Sequence, residues 1–354
     1  MIKNIPYFKK FNKIIIAFFI VFFNVLIIFF PQNIVTAARE GLILWLNSVL
    51  PALLPFIFIT NLLMGLGIIN LLGTILGSVM NKLFNVSGVG GLAMAVGFTS
   101  GYPIGAKVVS DLRLQNKISK TQAERLLSFC NNSGPLFILG TVGITMFQNP
   151  LIGKFILIIH YISAIVTGIL FKYYKYDENK NKIKKNYNKI NLNYKESLKA
   201  AIKTQNYGSN SFSKLFTDSI VGSVQTILTI GGFIIIFNVL LELIDILLLP
   251  ILIATFLSTL LLQVNIIIDE EIIRGVFYGI IEITNGTSYL SNNNNIFSVL
   301  ATVFVISFGG LSIHSQSISF ISKTDINIKI YLFGKFLHGL ISIGIGMAFY
   351  PLFF

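Results

Sequence analysis

Charge is scarce in this sequence. Only 12% of its 354 residues are Asp, Glu, Lys or Arg, about half the share of an ordinary soluble domain. Cysteine is scarcer still: Cys130 stands alone, which excludes an intrachain disulfide and a cysteine cage for a metal. The three histidines, His160, His314 and His338, have no second histidine or carboxylate at ligand spacing, so no zinc centre is expected. Nucleophile elbows and Walker-type phosphate loops are missing. "GVGG" at 88–91 follows no strand pattern, so a dinucleotide site is not expected either. These absences point away from an enzyme and call for no cofactor.

What is present is apolar. Hydrophobic residues make up 54% of the chain, 32 of them phenylalanine, and the mean hydropathy is +0.78. Several stretches approach or exceed the roughly 18 apolar residues that cross a bilayer. The chain therefore reads as an all-α polytopic membrane protein. Lys3, Lys9, Lys10 and Lys13 precede the apolar run 14–30. That run is long for a cleaved signal, so we expect an uncleaved first helix with a cytoplasmic N-terminus. The net charge, 27 − 14 = +13, would suggest nucleic acid in a soluble protein. Here eleven of the 27 basic residues lie between Lys172 and Lys214. A Lys-rich cytoplasmic loop that follows the positive-inside rule accounts for them, with lipid and a small solute as partners and no nucleic acid.

The apolar pattern breaks at "GFTSGYPIGAKVVSDLR" (97–113). If residues 88–106 crossed the membrane completely, the basic stretches 107–125 and 172–214 would both face outward. A segment that dips in and returns keeps both inside, so a re-entrant hairpin is expected, its irregular tip sheltered by protein or a water-filled cavity. The second half repeats the plan. "GFTSG" (97–101) matches "EITNG" (282–286), "SFCNNSGP" (128–135) matches "SFGGLSIH" (307–314), and Ser48-Val49-Leu50 matches Ser223-Val224-Gln225. This order implies inverted repeats with binding at interrupted helices near the midplane. The expected divisions are a helix and connector (1–40), a first repeat (41–173), the Lys-rich loop (174–214) and a second repeat (215–354). Residues 247–264 are more apolar than their counterpart 71–84; if they span the membrane, the inversion fails.

Four segments could carry chemistry. In the first, Thr99, Ser100, Gly101, Tyr102, Pro103 and Gly105 form an unwound stretch whose amides could meet an anion, and Lys107 follows it. In the second, Asn131, Asn132 and Ser133 precede Gly134-Pro135, as at another half-helix start. The third holds Glu282 in an apolar setting, followed by Thr284, Asn285 and Gly286. An intramembrane carboxylate suggests a proton, a cation or a substrate contact, with a structural lysine pairing as the rival. The fourth runs from Gly309 and Gly310 to Ser312, His314 and Gln316, where His314 could titrate. The alternatives are close helix packing for the glycines, snorkelling for Lys107 and capping for the asparagines. His160 and His338 lack comparable polar company and are set aside. The coupling ion, proton or sodium, stays open.

"FNVSGVGGLAMAVGFTSGYPIGAKVVSDL", "AERLLSFCNNSGPLFILG", "GIIEITNG" and "SFGGLSIHSQ" together resemble the YlbJ-type sporulation integral membrane proteins, from about residue 40 to the end. The resemblance implies two Gate-like (nucleoside-recognition) inverted repeats with interrupted and re-entrant helices, and a fold related to concentrative nucleoside transporters. It further implies transport of dipicolinate across the outer forespore membrane during endospore formation. Half-helix N-termini, Asn amides and Lys107 would suit such a planar dianion, with Tyr102 or Phe129 stacked on its ring. A nucleoside or other small-solute transporter and a non-transporting sporulation scaffold are the alternatives.

Overall fold

The computed structural model describes residues 6–66, 76, 79–175 and 209–354; they are helical, with no strand among them. Most of the Lys-rich loop (176–208) and half of the 71–84 segment lie outside the described residues. Residues 79–84 are helical.

The chain starts with α1 (Pro6–Phe29), eight residues earlier than the apolar run suggests, because the preceding lysines continue the helix. Pro31 then opens α2 (Pro31–Leu44) at a bend of 100°; a proline in the first helical turn lacks only a donor that would be unpaired anyway. A π-helical turn (Trp45–Val49) leads into α3 (Leu50–Gly65). Two short helices follow, α4 (Gly90–Thr99) and α5 (Ile104–Leu114). Next comes α6 (Lys120–Cys130), which starts on a capping box of Ser119 and Gln122. An irregular stretch separates it from a π-helical segment (Phe137–Met146) and then α7 (Pro150–Phe171).

After the undescribed segment, α8 (Ser209–Ile246) begins inside the stretch assigned to the loop. It is followed by α9 (Leu249–Gln263), and then by α10 (Glu270–Ile281) and α11 (Ile283–Leu290), which meet at Glu282. The chain closes with α12 (Ile296–Phe308), α13 (Gly310–Ile321) and α14 (Ile328–Phe353). At 15 residues α9 is about 22 Å long, short of the ~30 Å hydrocarbon core. Among the described residues four helical stretches are long and apolar enough to cross, 150–171, 212–246, 296–321 and 328–353, or five if the bent α1/α2 pair is counted as one span.

Both short-helix pairs are hairpins. A Cβ on Gly97 and one on Gly105 would each overlap the same Cys130 carbonyl. Eight residues apart on one straight helix, the two glycines would be ~12 Å apart; here the chain folds back between them. In the second hairpin a Cβ on Gly286 would overlap Gly279 Cα, and one on Gly275 would run into Leu290. The two halves thus share an order: hairpin α4/α5, interrupted helix α6–π, long α7; then hairpin α10/α11, interrupted helix α12/α13, long α14.

One core, around Ile138, Phe155, Ile159, Val303 and Ile306, joins the halves; another packs α4, α5 and α6 around Phe84, Leu126 and Phe129. Long α8 lies against α2 and α3. Trp45 Nε1 donates to the Ile227 carbonyl (3.1 Å) and Asn61 Nδ2 to Ser223 Oγ (2.9 Å). At the polar ends, Arg113 at the end of α5 makes a two-pronged ion pair (2.8 and 2.9 Å) with Asp325, in the turn between α13 and α14.

Candidate functional site

The hairpin tips and helix breaks converge on one cavity of about 50 Å³, room for a few waters. The first tip contributes Ser100, Gly101 and Tyr102, and the second Glu282, Ile283 and Thr284. The break after α6 adds Ser133, Gly134, Leu136 and Phe137; the start of α13 adds Ser312, Ile313 and Gln316. Val49 from the π-helical turn and Leu53 from α3, with Ile230 and Ile234 from α8, complete an apolar wall. Ser100 Oγ, Ser312 Oγ and Gln316 Oε1 are buried without a hydrogen-bond partner. Buried polar atoms are ordinarily paired, so an orphaned set facing one cavity marks where a solute could bond.

Each break has a local cause. Gly309 and Gly310 take φ of +99° and +63°, a region glycine enters without a Cβ clash, and α12 ends there. Gly101 (φ +78°) and the cis Tyr102–Pro103 peptide turn the first tip. At the second tip Glu282 is extended (φ −142°, ψ 120°) and caps α11. Its carboxylate accepts from the Asn285 amide (2.8 Å) and Thr284 Oγ1 (3.2 Å). No lysine lies within ion-pair distance of Glu282 among the described residues; its partner is the positive end of its own helix.

The structure brings eight of the sequence-selected residues to the cavity: Ser100, Gly101, Tyr102, Ser133, Glu282, Thr284, Ser312 and Gln316. The others support it or lie elsewhere. Thr99 bonds the Ala95 carbonyl within α4, Pro103 precedes α5, and Gly105 packs on the end of α6. Asn285 holds Glu282, Gly286 packs on Gly279, and Gly309 and Gly310 make the break. Asn132 donates to the Phe129 carbonyl (2.6 Å). Phe129, expected to stack on a substrate ring, is buried and stacks on Phe84 (4.3 Å) instead. Lys107 does not line the cavity: its side chain is half exposed and pairs with Asp111 (3.4 Å), one helical turn on.

His160 and His338, set aside for want of polar company in the sequence, have it in the structure. Both are fully buried in a polar network that also contains Lys335, a residue the sequence reading passed over. Lys335 Nζ donates to the Asn131 carbonyl (2.9 Å) and lies 3.0 Å from His338 Nδ1. His338 Nε2 lies 3.0 Å from the His160 carbonyl. His160 Nε2 accepts from the Ser133 amide (3.2 Å), and its Nδ1 contacts Ser307 Oγ (2.9 Å). Asn131 Oδ1 accepts from the Ala106 amide (3.2 Å), while its Nδ2 donates to Ser317 Oγ (2.9 Å) and the Tyr331 hydroxyl (3.0 Å). That hydroxyl reaches His314 Nδ1 (3.0 Å). Asn131 and His314 therefore belong to this network behind the cavity. A lysine inside the apolar "IYLFGKFLHGLISIGIG", with histidine three residues on, was the available signal.

Two hairpins and two broken helices around a central cavity define a polytopic membrane protein built as concentrative nucleoside transporters are. Solved structures of CNTnw agree. An intermediate state matches with a TM-score of 0.59 at 14% identity, covering 99% of this chain and 88% of that one. An inward-facing substrate-bound state matches with a TM-score of 0.56 at 12% identity, covering 98% and 87%. The family model described as Gate, nucleoside recognition, matches residues 46–148. The "Sporulation integral membrane protein YlbJ" of Bacillus subtilis (strain 168) is 34% identical over 335 residues, 94% of this chain and 81% of that protein. The chain belongs to the YlbJ family of sporulation integral membrane proteins.

Proposed function

We propose that the protein is a carrier for a small planar carboxylate, dipicolinate in the sporulating cell, working by alternating access at the cavity between the hairpin tips. The observation that carries this reading is the convergence of both tips and both breaks on one partly polar cavity. As it stands the space suits only a few waters, so an organic solute enters when the walls part; paired hairpins and broken helices are the elements that permit such rocking. The moving units are the repeats 41–173 and 215–354, joined through the loop 174–214 and inverted in the membrane. The N-terminus lies in the cytoplasm and the outer forespore membrane is the site of action.

A carboxylate has a specific place to dock. The N-terminus of α11 already holds the Glu282 carboxylate, whereas that of α13 has no side-chain cap. The first-turn amides of α13, beside Ser312 and the Gln316 side chain, can therefore take an anion, and Tyr102 can stack on a ring. Lys107 is not needed for this. A nucleoside is the second reading, favoured by a cavity lining without a single basic side chain. Uptake of labelled dipicolinate and labelled uridine into proteoliposomes separates the two: dipicolinate uptake competed by unlabelled dipicolinate supports the first, uridine uptake alone the second. Uptake of neither overturns the carrier reading for both solutes.

A further inference from the structure

The most unusual group in the molecule is the amine of Lys335. It is 1% exposed on an apolar helix, and no carboxylate among the described residues lies within ion-pair distance of it. Its partners are neutral. One is the Asn131 carbonyl, in the break where α6 ends; the carboxyl end of a helix carries partial negative charge and favours a cation. The other is His338 Nδ1.

The backbone fixes the tautomer of His160 and bears on that of His338. His338 Nε2 lies 3.0 Å from both the His160 carbonyl and Ser163 Oγ; with its proton there, toward the carbonyl, the ring presents a bare Nδ1 to the lysine. A backbone amide only donates, so His160 receives the Ser133 amide on a bare Nε2 and carries its proton on Nδ1, toward Ser307. Both rings are thus held neutral with both nitrogens engaged. Other elements bring little more. α6 brings the Cys130 thiol and α13 brings His314; α14 adds Tyr331. α12 has no titratable residue. Glu124 of α6 lies at the first turn of α14, accepting from the Asn327 amide.

We propose that Lys335 is the cation site of this carrier: its amine binds and releases the proton that couples transport, at the helix break after α6. This rests on the carrier reading above and names its coupling ion. The neutral amine takes up one proton from the aqueous phase to become an ammonium and gives the same proton back on the other side; no other bond changes. Two recorded acceptors satisfy the two N–H bonds of the neutral amine. An ammonium has a third, with no acceptor in this arrangement among the described residues, so protonation favours a different set of the break. Asn131, which carries the acceptor carbonyl, is two residues from Ser133 in the cavity wall. The proton and the solute therefore act on one short segment.

The test uses full-length protein in liposomes, with labelled dipicolinate and labelled uridine as probes. Wild-type uptake of whichever probe is carried should rise with an imposed pH gradient and be indifferent to replacing sodium by potassium. In Lys335→Met and Lys335→Arg, the ratio of uptake with and without the gradient should fall to one. Sodium-dependent uptake in the wild type, or a gradient response that survives in Lys335→Met, overturns the proposal. If the wild type exchanges neither probe in counterflow, the carrier reading fails on its own. The amine is then judged by thermal unfolding in detergent across the neutral pH range. A pH-dependent midpoint in the wild type that flattens in Lys335→Arg supports the proton site; superimposable profiles overturn it. The same comparison decides the matter if Lys335→Met does not fold.

Discussion

A methyl group at position 286 would land on Gly279 Cα, backbone that cannot move without opening the hairpin. Gly286→Ala should therefore cost more than the ~1–3 kcal/mol usual for overpacking, seen as a lower thermal midpoint and a loss of monodisperse protein. The polar cavity groups make the opposite case. Ser312 and Gln316 have unsatisfied atoms in the wall, so Ser312→Ala and Gln316→Leu should leave the midpoint near wild type. Each should reduce the apparent affinity for the transported probe by roughly 2- to 10-fold, one hydrogen bond's worth. Lys107→Ala should leave uptake near the wild-type rate, because Lys107 faces Asp111 and solvent. A large loss of uptake in that variant would move the anion site away from α13. At this scale the sequence located polar residues well but not their roles. Glu282 stands out in an apolar segment whether it binds a proton or caps a helix, and only the extended backbone at 282 shows the capping.

Two of the three matched segment pairs fall on corresponding breaks: 97–101 with 282–286 at the hairpin tips, and 128–135 with 307–314 at the interrupted helices. Glycine, proline and amide residues mark such breaks plainly against an apolar background. The third pair does not behave alike, since Ser48 lies in a π-helical turn while Ser223 lies inside unbroken α8; three residues of similar type are too little signal. The Arg113–Asp325 pair ties the end of the first hairpin to the turn after α13 and was invisible in the sequence, its members being 212 residues apart. The guanidinium holds the Asp325 carboxyl below the usual carboxylate range. A carboxylate depressed in the folded state contributes stability above its unfolded value, near 3.9, and loses it as pH falls through the folded value. Asp325→Asn should cost at most about 1 kcal/mol of stability at neutral pH, seen as a slightly lower thermal midpoint, as the pair is partly exposed. That difference from wild type should vanish in strong acid.

For the whole molecule, composition was enough to give the helical membrane class, and the repeated breaks gave the plan of two related halves. The cavity's apolar wall was not legible. Val49, Leu53, Ile230 and Ile234 come from separated segments, and an aliphatic residue in a chain that is 54% hydrophobic carries no mark of its own. Deleting residues 176–208 and joining the flanks with a flexible linker should leave proteoliposome uptake largely intact if the two halves do the carrying. Loss of a sporulation phenotype with uptake preserved would instead assign that segment a recruiting role. The buried histidines bear on the molecule in another way. The Ser133 amide can only donate, so it keeps one nitrogen of His160 bare, and that ring cannot pass a hydrogen ion from one face to the other while the break holds this shape.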